Sequence, residues 1–483
     1  MQTAIWWIRR DLRLTDQTAL TAALQEAGDV VPLFVIDPAL TEAKNASPKR
    51  QVFLQQALQS LDGELRQRGS RLILRRGSPA EVLAQVAAES GAAAIYAEAD
   101  YSPYARRRDA AVAHSLPLKL VGGPSLHHPE AVVKADGTPY TVYTPYMRAW
   151  KSQPLPRPDS ILPAPSRIPF PALELVSEIG ELNLPTDAAQ IFPANEAEAQ
   201  HRLMAFAEGA TPRVFQYVDL RNRLDLNGTS QLSPYLRFGM ISARQAVVAV
   251  QVAEVRATEG LARKSAETWL NELIWREFYM TILYHFPDVL QQSFRADLRQ
   301  IPWRNDVQEF AAWCEGRTGY PIVDAGMRQL AHTGWMHNRA RMIVASFLVK
   351  DLLVDWRWGE GFFMEHLLDG DPAANNGGWQ WTAGTGTDAA PYFRIFNPVL
   401  QGEKFDPAGE YIRQWVPELT NVPDERIHKP WEMTELLQAE VGVKIGRDYP
   451  QPVVDHGMAR RRTLDVYQME KMVAVQNRRG RRG

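Results

Sequence analysis

Thirteen residues, Asp369-Gly-Asp-Pro-Ala-Ala-Asn-Asn-Gly-Gly-Trp-Gln-Trp381, hold two carboxylates, two adjacent amides, a glycine pair and two tryptophans. The stretch runs on through Asp388, Arg394 and Asn397. Pro372 directly after Asp371, and Gly377-Gly378 after the amides, predict a tight loop entering a helix, with little side chain between the backbone and whatever docks there. Trp379 and Trp381 are two residues apart, so a helix points them in different directions and gives them different work. Acids and amides beside large rings suit a planar, hydrogen-bonding cofactor better than a metal or an acyl nucleophile.

Such residues need elements to hold them. At 483 residues the chain is too long for one ordinary core, so two domains are expected. Its apolar fraction is that of a soluble globular protein. No apolar run is long enough to span a bilayer, and Met1-Gln-Thr-Ala-Ile does not open a secretory signal. Cys314 is the only cysteine, which excludes an intramolecular disulfide and speaks against a cysteine-based metal site. A cytoplasmic protein without a metal is the expectation. The formal net charge of −2 is less basic than that of most nucleic-acid binders, although binding depends on local clusters and not on totals. The tail concentrates Arg460, Arg461, Arg462, Arg478, Arg479, Arg481 and Arg482, which reads as a solvated end.

Residues 1–130 alternate apolar runs with amphipathic stretches. Ala4–Ile8, Val30–Ile36, Arg71–Leu74, Ala94–Ala97 and Leu118–Val121 predict buried parallel strands, with helices over Arg50–Arg68 and Pro79–Ser90 between them. That is an α/β doubly wound parallel-sheet domain. No Gly-x-Gly-x-x-Gly follows the first strand, so a standard dinucleotide site is not expected there. Residues 131–195, proline-rich from Pro154 to Pro185, predict an interdomain linker with extended stretches. From 196 to 483 the pattern is helical, broken by Gly-Tyr-Pro, Asp-Gly-Asp and Asn-Pro, and predicts an all-α domain.

The chain resembles the DNA photolyase and cryptochrome family over a long, nearly ungapped run of motifs. The Asp369–Trp381 stretch matches the family's flavin-binding signature. Thr229-Ser-Gln-Leu-Ser-Pro-Tyr-Leu-Arg-Phe-Gly239, Trp269-Leu-Asn-Glu-Leu-Ile-Trp-Arg-Glu-Phe-Tyr279, Thr318-Gly-Tyr-Pro-Ile-Val-Asp324 and Gly334-Trp-Met-His-Asn-Arg-Ala-Arg-Met342 match in the same order. Within the family the fit is to class I photolyases of cyclobutane pyrimidine dimers. The resemblance implies an all-α FAD- and DNA-binding C-terminal domain and a light-driven lyase acting on damaged DNA as a monomer.

It further implies that FAD is held by Tyr217, Thr229, Ser230, Gln231, Leu232, Ser233, Trp269, Arg276, Arg341, Asp369, Gly370, Asp371 and Asn375, with Arg341 paired to Asp369. Taken alone, the Thr-Ser-x-x-Ser-Pro run is explained as well by helix capping. Asn375 falls where family members face flavin N5, usually Asn in photolyases, Asp in plant cryptochromes and Cys in many animal ones. A neutral amide supplies no ready proton, which lets the flavin reach the fully reduced anion FADH⁻. Trp379, Trp356 and Trp303 fall on the family's three-tryptophan electron relay. Trp358 is an extra indole near the middle one, and Trp313 and Trp335 read as ordinary core.

The substrate face implied is Arg221, Glu272, Trp275, Arg276, Tyr279, Asn338, Arg339, Met342 and Trp381. Trp275 and Trp381 would wall a flipped dimer, Glu272 would hydrogen-bond its bases, and the arginines would meet phosphates. His337 is followed by Asn338 where six-four photolyases typically carry a second histidine, so their acid–base chemistry is not expected. A signalling cryptochrome is the other rival, and it predicts a changed residue at Asn375. For an antenna pigment in the α/β domain, Tyr104-Ala105 replaces the Asn-Glu pair of folate-binding members. Arg50, Asp100 and Arg106 look more like a deazaflavin- or flavin-antenna pattern.

Overall fold

Five short apolar segments lie side by side in the computed structural model: β1 Thr3–Ile8, β2 Asp29–Ile36, β3 Ile73–Arg76, β4 Ala92–Ala97 and β5 Leu118–Leu120. Their order is β3-β2-β1-β4-β5 and every pairing is parallel. Residues 2–43, 46–178, 191–209, 212–258 and 260–480 are described, without the side chains of 471 and 473–480. Part of the proline-rich stretch (179–190) and Arg481 and Arg482 therefore lie outside the described residues.

Parallel strands need crossover connections. The helices Thr18–Glu26, Pro48–Gln67, Pro79–Ser90 and Pro103–Ser115 supply them. Pro48, Pro79 and Pro103 each sit in a first turn, where a missing N–H costs nothing. Ser47 and Ser102 cap two of these helices by accepting from Arg50 N and Ala105 N. Ile5, Trp7, Val31, Leu33, Ile73, Leu83, Val86 and Val112 form one buried cluster around the sheet.

Two strand expectations need correction. β3 begins two residues later than Arg71 and ends on Arg75 and Arg76. β5 is a three-residue edge strand with Lys119 and Leu120 exposed, not a buried one. Lys119 pairs with Glu26, and a lysine on a short edge strand discourages pairing with another chain.

The stretch expected to be linker contains a helix, Tyr143–Lys151, with Tyr143, Tyr146 and Trp150 buried. From Glu196 on, the described elements are helices, among them Gly260–His285, Asn338–Ser346, Trp356–His366, Pro372–Ala383 and His456–Gly480. None is long and apolar enough to cross a membrane.

By packing, the described chain forms two compact units. One comprises Met1–Val218, Thr229–Pro287 and Leu368–Ala373; the other comprises Asp219–Gly228, Asp288–Leu367 and Ala374–Gly483. Both are discontinuous in sequence. The boundaries at 130 and 196, which follow composition, stand as a proposal about where sheet domain, linker and helical domain begin.

Candidate active site

In the first unit, charge gathers where β1 and β4 end. Sheet order turns at β1, the position at which open parallel sheets make a crevice. β1 leads into Arg10, whose Nη2 lies 2.8 Å from Asp371 Oδ2 and whose Nη1 lies 3.7 Å from Asp100 Oδ1. Asp371 also starts the helix Pro372–Ala383, accepting from Ala373 N at 3.0 Å. Arg237 donates to Gly370 O at 2.7 Å, and Arg276 donates to Pro124 O and Leu236 O at 2.7 and 3.2 Å. Burial alone would raise the Asp371 carboxyl. Arg10, Arg237 and Arg276 overcome it and hold Asp371 well below the usual carboxylate range.

The guanidinium groups pay in the opposite direction. Burial and the nearby Arg10 charge push Arg237 down to about 9 and Arg276 to about 10, each only partly offset by Asp371 and other carboxylates. Arg50 falls to about 10 by burial, partly offset by Asp369. Arg10 Nε is buried with no hydrogen-bond partner. Four half-buried arginines stand against Asp100, Asp369 and Asp371, and Arg237 and Arg276 donate to backbone carbonyls, which leaves a net positive charge. That donor set fits an anion such as a diphosphate.

One backbone contact sets this cluster. Gly239 has φ +64°, and a Cβ there would collide with the Arg10 carbonyl oxygen. Leu12 N donates to Phe238 O and Arg13 Nη1 to Gly239 O, both at 3.1 Å, so the two segments are sewn together at this point. Gly239→Ala is therefore expected to lose about 2–4 kcal/mol of stability. A urea midpoint equal to wild type would refute the close approach.

The Thr229–Ser233 run does not cap the six-residue helix Ser233–Phe238 that follows it. Leu232 is the N-cap residue and makes no side-chain cap hydrogen bond. Gln231 adopts φ 51° and accepts from Arg202 at 2.9 Å. Tyr217 and Trp269 are brought together through Phe206, with ring centroids 5.9 and 5.0 Å from it. On the 26-residue helix Gly260–His285, Glu272, Trp275, Arg276 and Tyr279 share a half-buried face. Trp275 and Tyr279 rings are 5.5 Å apart.

In the second unit, Asn375 Nδ2 donates to Glu360 O and Asn376 Nδ2 to Glu360 Oε1, each at 3.0 Å. One of the two amide hydrogens of Asn375 is used in this way, which leaves its oxygen, an acceptor, and one N–H for a ligand. Burial pushes Glu360 up to about 7, against the pull of the Asn376 hydrogen bond. Trp379 and Trp356 lie in one buried apolar cluster, with Trp303 and Trp358 packed against it. The Trp379 ring meets Phe363 at 4.9 Å and Trp313 at 6.1 Å. Gly359 makes room for it, since a Cβ there would collide with the indole.

Asn338 is exposed and lies 4.0 Å from the Met342 sulfur. Arg339 donates twice to Asn222 Oδ1 and sits 4.5 Å over the Phe405 ring. Arg341 donates to Met336 O at 2.8 Å. Arg221 and Trp381 are half-buried. His337 caps its helix by accepting from Arg339 N at 3.1 Å, and burial, then Arg339 and Arg341, push it down to about 4. It stays neutral near pH 7.

Of the antenna candidates, Arg50 and Asp100 belong to the arginine–aspartate cluster. Arg106 instead donates to Tyr284 O at 3.1 Å and lies 4.1 Å over the Tyr284 ring. The cavity bordered by Arg10, Asp100, Tyr101, Met280 and Asp371 has a volume of about 20 Å³, room for roughly one water. Arg10, Arg237, Glu360 and Tyr143 went unremarked as site residues in the sequence. Arg237 lies inside the Thr229–Gly239 motif, and Tyr143, Tyr146 and Trp150 recur at helical spacing, so those two left a signal.

A parallel α/β sheet, a helical continuation and a buried cationic cluster fit a protein that holds an anionic cofactor. Family models agree. That of DNA photolyase matches residues 4–166, and that of the FAD binding domain of DNA photolyase matches 269–469. The deoxyribodipyrimidine photo-lyase of a Synechococcus strain is 41% identical over 480 residues, covering 97% of this chain and 96% of that one. That of Escherichia coli is 40% identical over 479 residues, covering 97% and 99%. A crystal structure of a class III photolyase from Agrobacterium tumefaciens superposes with TM-score 0.90 at 37% identity, covering 98% of each chain. A Synechocystis cryptochrome gives 0.85 at 31% identity, covering 96% and 99%. The chain belongs to the DNA photolyase family.

Proposed function

We propose that this chain is a deoxyribodipyrimidine photo-lyase, a light-driven enzyme that splits cyclobutane pyrimidine dimers in DNA. Likeness along nearly its whole length to enzymes of that name carries the reading. The motif residues favour class I within the family. FAD is the cofactor; bound, it supplies a light-excitable electron donor in its fully reduced anionic form.

The chain's own residues do the rest. Arg237 and Arg276, which donate to carbonyls and not to carboxylates, receive an anionic part of the cofactor, with Arg10 beside them. Asp371 and Asp369 bring Arg10 and Arg50 close enough to do so. Asn375, held by its bond to Glu360 O, presents a neutral amide with no ready proton to give. Glu272 accepts hydrogen bonds from the lesion's bases, and Trp275 and Trp381 stack against them, each contact worth roughly 1–3 kcal/mol. Arg221 and Arg339 position the backbone of the damaged strand. Trp379, Trp356 and Trp303 pass electrons inward to keep the cofactor reduced. His337, neutral near pH 7, is no general acid, and Asn338 stands where a second histidine would be needed, which favours cyclobutane dimers over six-four products as substrate.

An antenna pigment of deazaflavin or flavin type in the α/β domain is part of the same proposal, carried by the absence of the folate-type Asn-Glu pair at Tyr104-Ala105. We further propose that the protein works as a monomer in the cytoplasm. The experiment is repair of ultraviolet-irradiated oligothymidylate by the FAD-loaded, reduced protein under blue light. Thymine dimers should return to monomers. Activity confined to six-four products, or no light dependence, would overturn the reading; an absorption band beyond that of flavin would mark a deazaflavin antenna, and a second flavin per chain a flavin one.

A further inference from the structure

Trp275 does not have both faces free. Tyr143 lies flat against it, with ring centroids 3.7 Å apart and planes within 4°. Isolated aromatic rings prefer offset or edge-on arrangements to a centred sandwich, because their quadrupoles repel face to face. The elements that carry the two rings must therefore impose this one.

They are fastened on both sides of the stack. The Tyr143 hydroxyl donates to Asn271 O at 2.8 Å, on the same helix as Trp275 and one turn before it. Phe278 lies edge-on to both rings, at 5.9 and 5.5 Å. Farther along the helix Tyr143–Lys151, Trp150 Nε1 donates to Glu277 Oε2 at 2.7 Å and Tyr146 bonds Thr281 at 3.2 Å. Glu277 also accepts from Leu126 N and His127 N, so this buried carboxylate ties a loop and a helix to the long helix at one point. Burial, then the Glu272 carboxylate, push the Tyr143 hydroxyl upward, which keeps it a donor at any working pH.

We propose that Tyr143 is a positioning residue for the lesion: it covers one face of Trp275, fixes the indole plane and leaves the other face as the stacking surface for a flipped base. The proposal rests on Trp275 being a wall of the substrate pocket. Tyr143 does not touch substrate. A backed indole has its rotamer chosen before DNA arrives, so binding a base does not have to freeze it. The effect belongs in affinity, not in the chemistry that follows.

The test is dark equilibrium binding of the FAD-loaded protein to an oligonucleotide carrying one thymine dimer, with repair yield per photon measured at saturating DNA. Tyr143→Leu should weaken binding by about three- to tenfold, the worth of one aromatic pair, and leave the yield at saturation near wild type. Tyr143→Phe keeps the ring and loses the hydroxyl with its bond to Asn271, so it should restore most of the affinity. In a Trp275→Leu background, Tyr143→Leu should add nothing, because it acts through that indole. Should the leucine variant fail to fold, Tyr143→Met fills the same space with a flexible chain and carries the same comparison. If Trp275→Leu weakens binding but Tyr143→Leu does not, or if the two losses add, the positioning role is wrong. If Trp275→Leu itself binds the dimer as tightly as wild type, the reading of the pocket wall is wrong, and the proposal falls with it.

Discussion

Trp379→Phe should abolish light-driven reduction of the flavin while repair by the chemically reduced protein continues near its wild-type level. Trp379 is 2% exposed, enclosed by Phe363, Trp313 and the bare Cα of Gly359. Its Nε1 is buried with no hydrogen-bond partner, so no bond explains why an indole and not a plain ring stands there. An indole gives up an electron far more readily than a phenyl ring, and that difference is what the relay needs. Phenylalanine leaves a cavity costing about 1–3 kcal/mol, partly offset by removing the orphaned N–H. The fold should therefore survive. The check is the absorbance of oxidised flavin under blue light with an external reductant, followed by repair after chemical reduction. Wild-type photoreduction in the variant would remove Trp379 from the relay. Loss of repair after chemical reduction would show that relay and repair share a path.

Asp371→Asn should lower stability by about 3 kcal/mol although it keeps the shape and the helix cap. Only the charge goes, and with it the counter-charge of Arg10, Arg237 and Arg276. The side chain is 11% exposed, so water cannot replace it. The folded-state pKa is depressed, so the stabilisation is fully present above the ordinary value of about 3.8 and fades as pH falls through the folded value. Between pH 5 and 8 the gap between variant and wild type should hold steady, and it should narrow only in strong acid. Denaturant midpoints across that range test both statements. A gap that closes near pH 6 would assign the effect to another group.

The parts of the fold that were legible are those whose signal is local. β1, β2 and β4 are apolar runs between turn residues, and their boundaries move by at most two residues. β3 shifted because Arg75 and Arg76 belong to the strand although they read as its end; Arg75 reaches Val176 O and Glu89, so its charge is satisfied within the sheet's edge. The helix Tyr143–Lys151 was hidden by the prolines around it, which drew attention from the recurrence of aromatics inside. Among the candidate residues, Asp371 and Asn375 stood out because their motif is dense. Arg10 was not, since 361 residues separate it from Asp371 and no spacing rule joins them. Glu360 was not, because a glutamate on an amphipathic helix reads as solvated until the amides of Asn375 and Asn376 are seen to close over it.

The unit that starts at Met1 is finished by six residues, Leu368–Ala373. A ribosome must make most of the chain before that segment emerges. Until then Arg10, Arg237 and Arg276 have Asp100 but not Asp371 to offset their mutual repulsion. Synthesis thus passes through a long interval in which the sheet can pair but its cationic end cannot close, and slow, non-local closure is what exposes a chain to aggregation and proteolysis. A message truncated before codon 368 would encode neither unit whole, and a gene for this protein split at the apparent linker would divide the first unit between two halves while the second stayed whole in the C-terminal one.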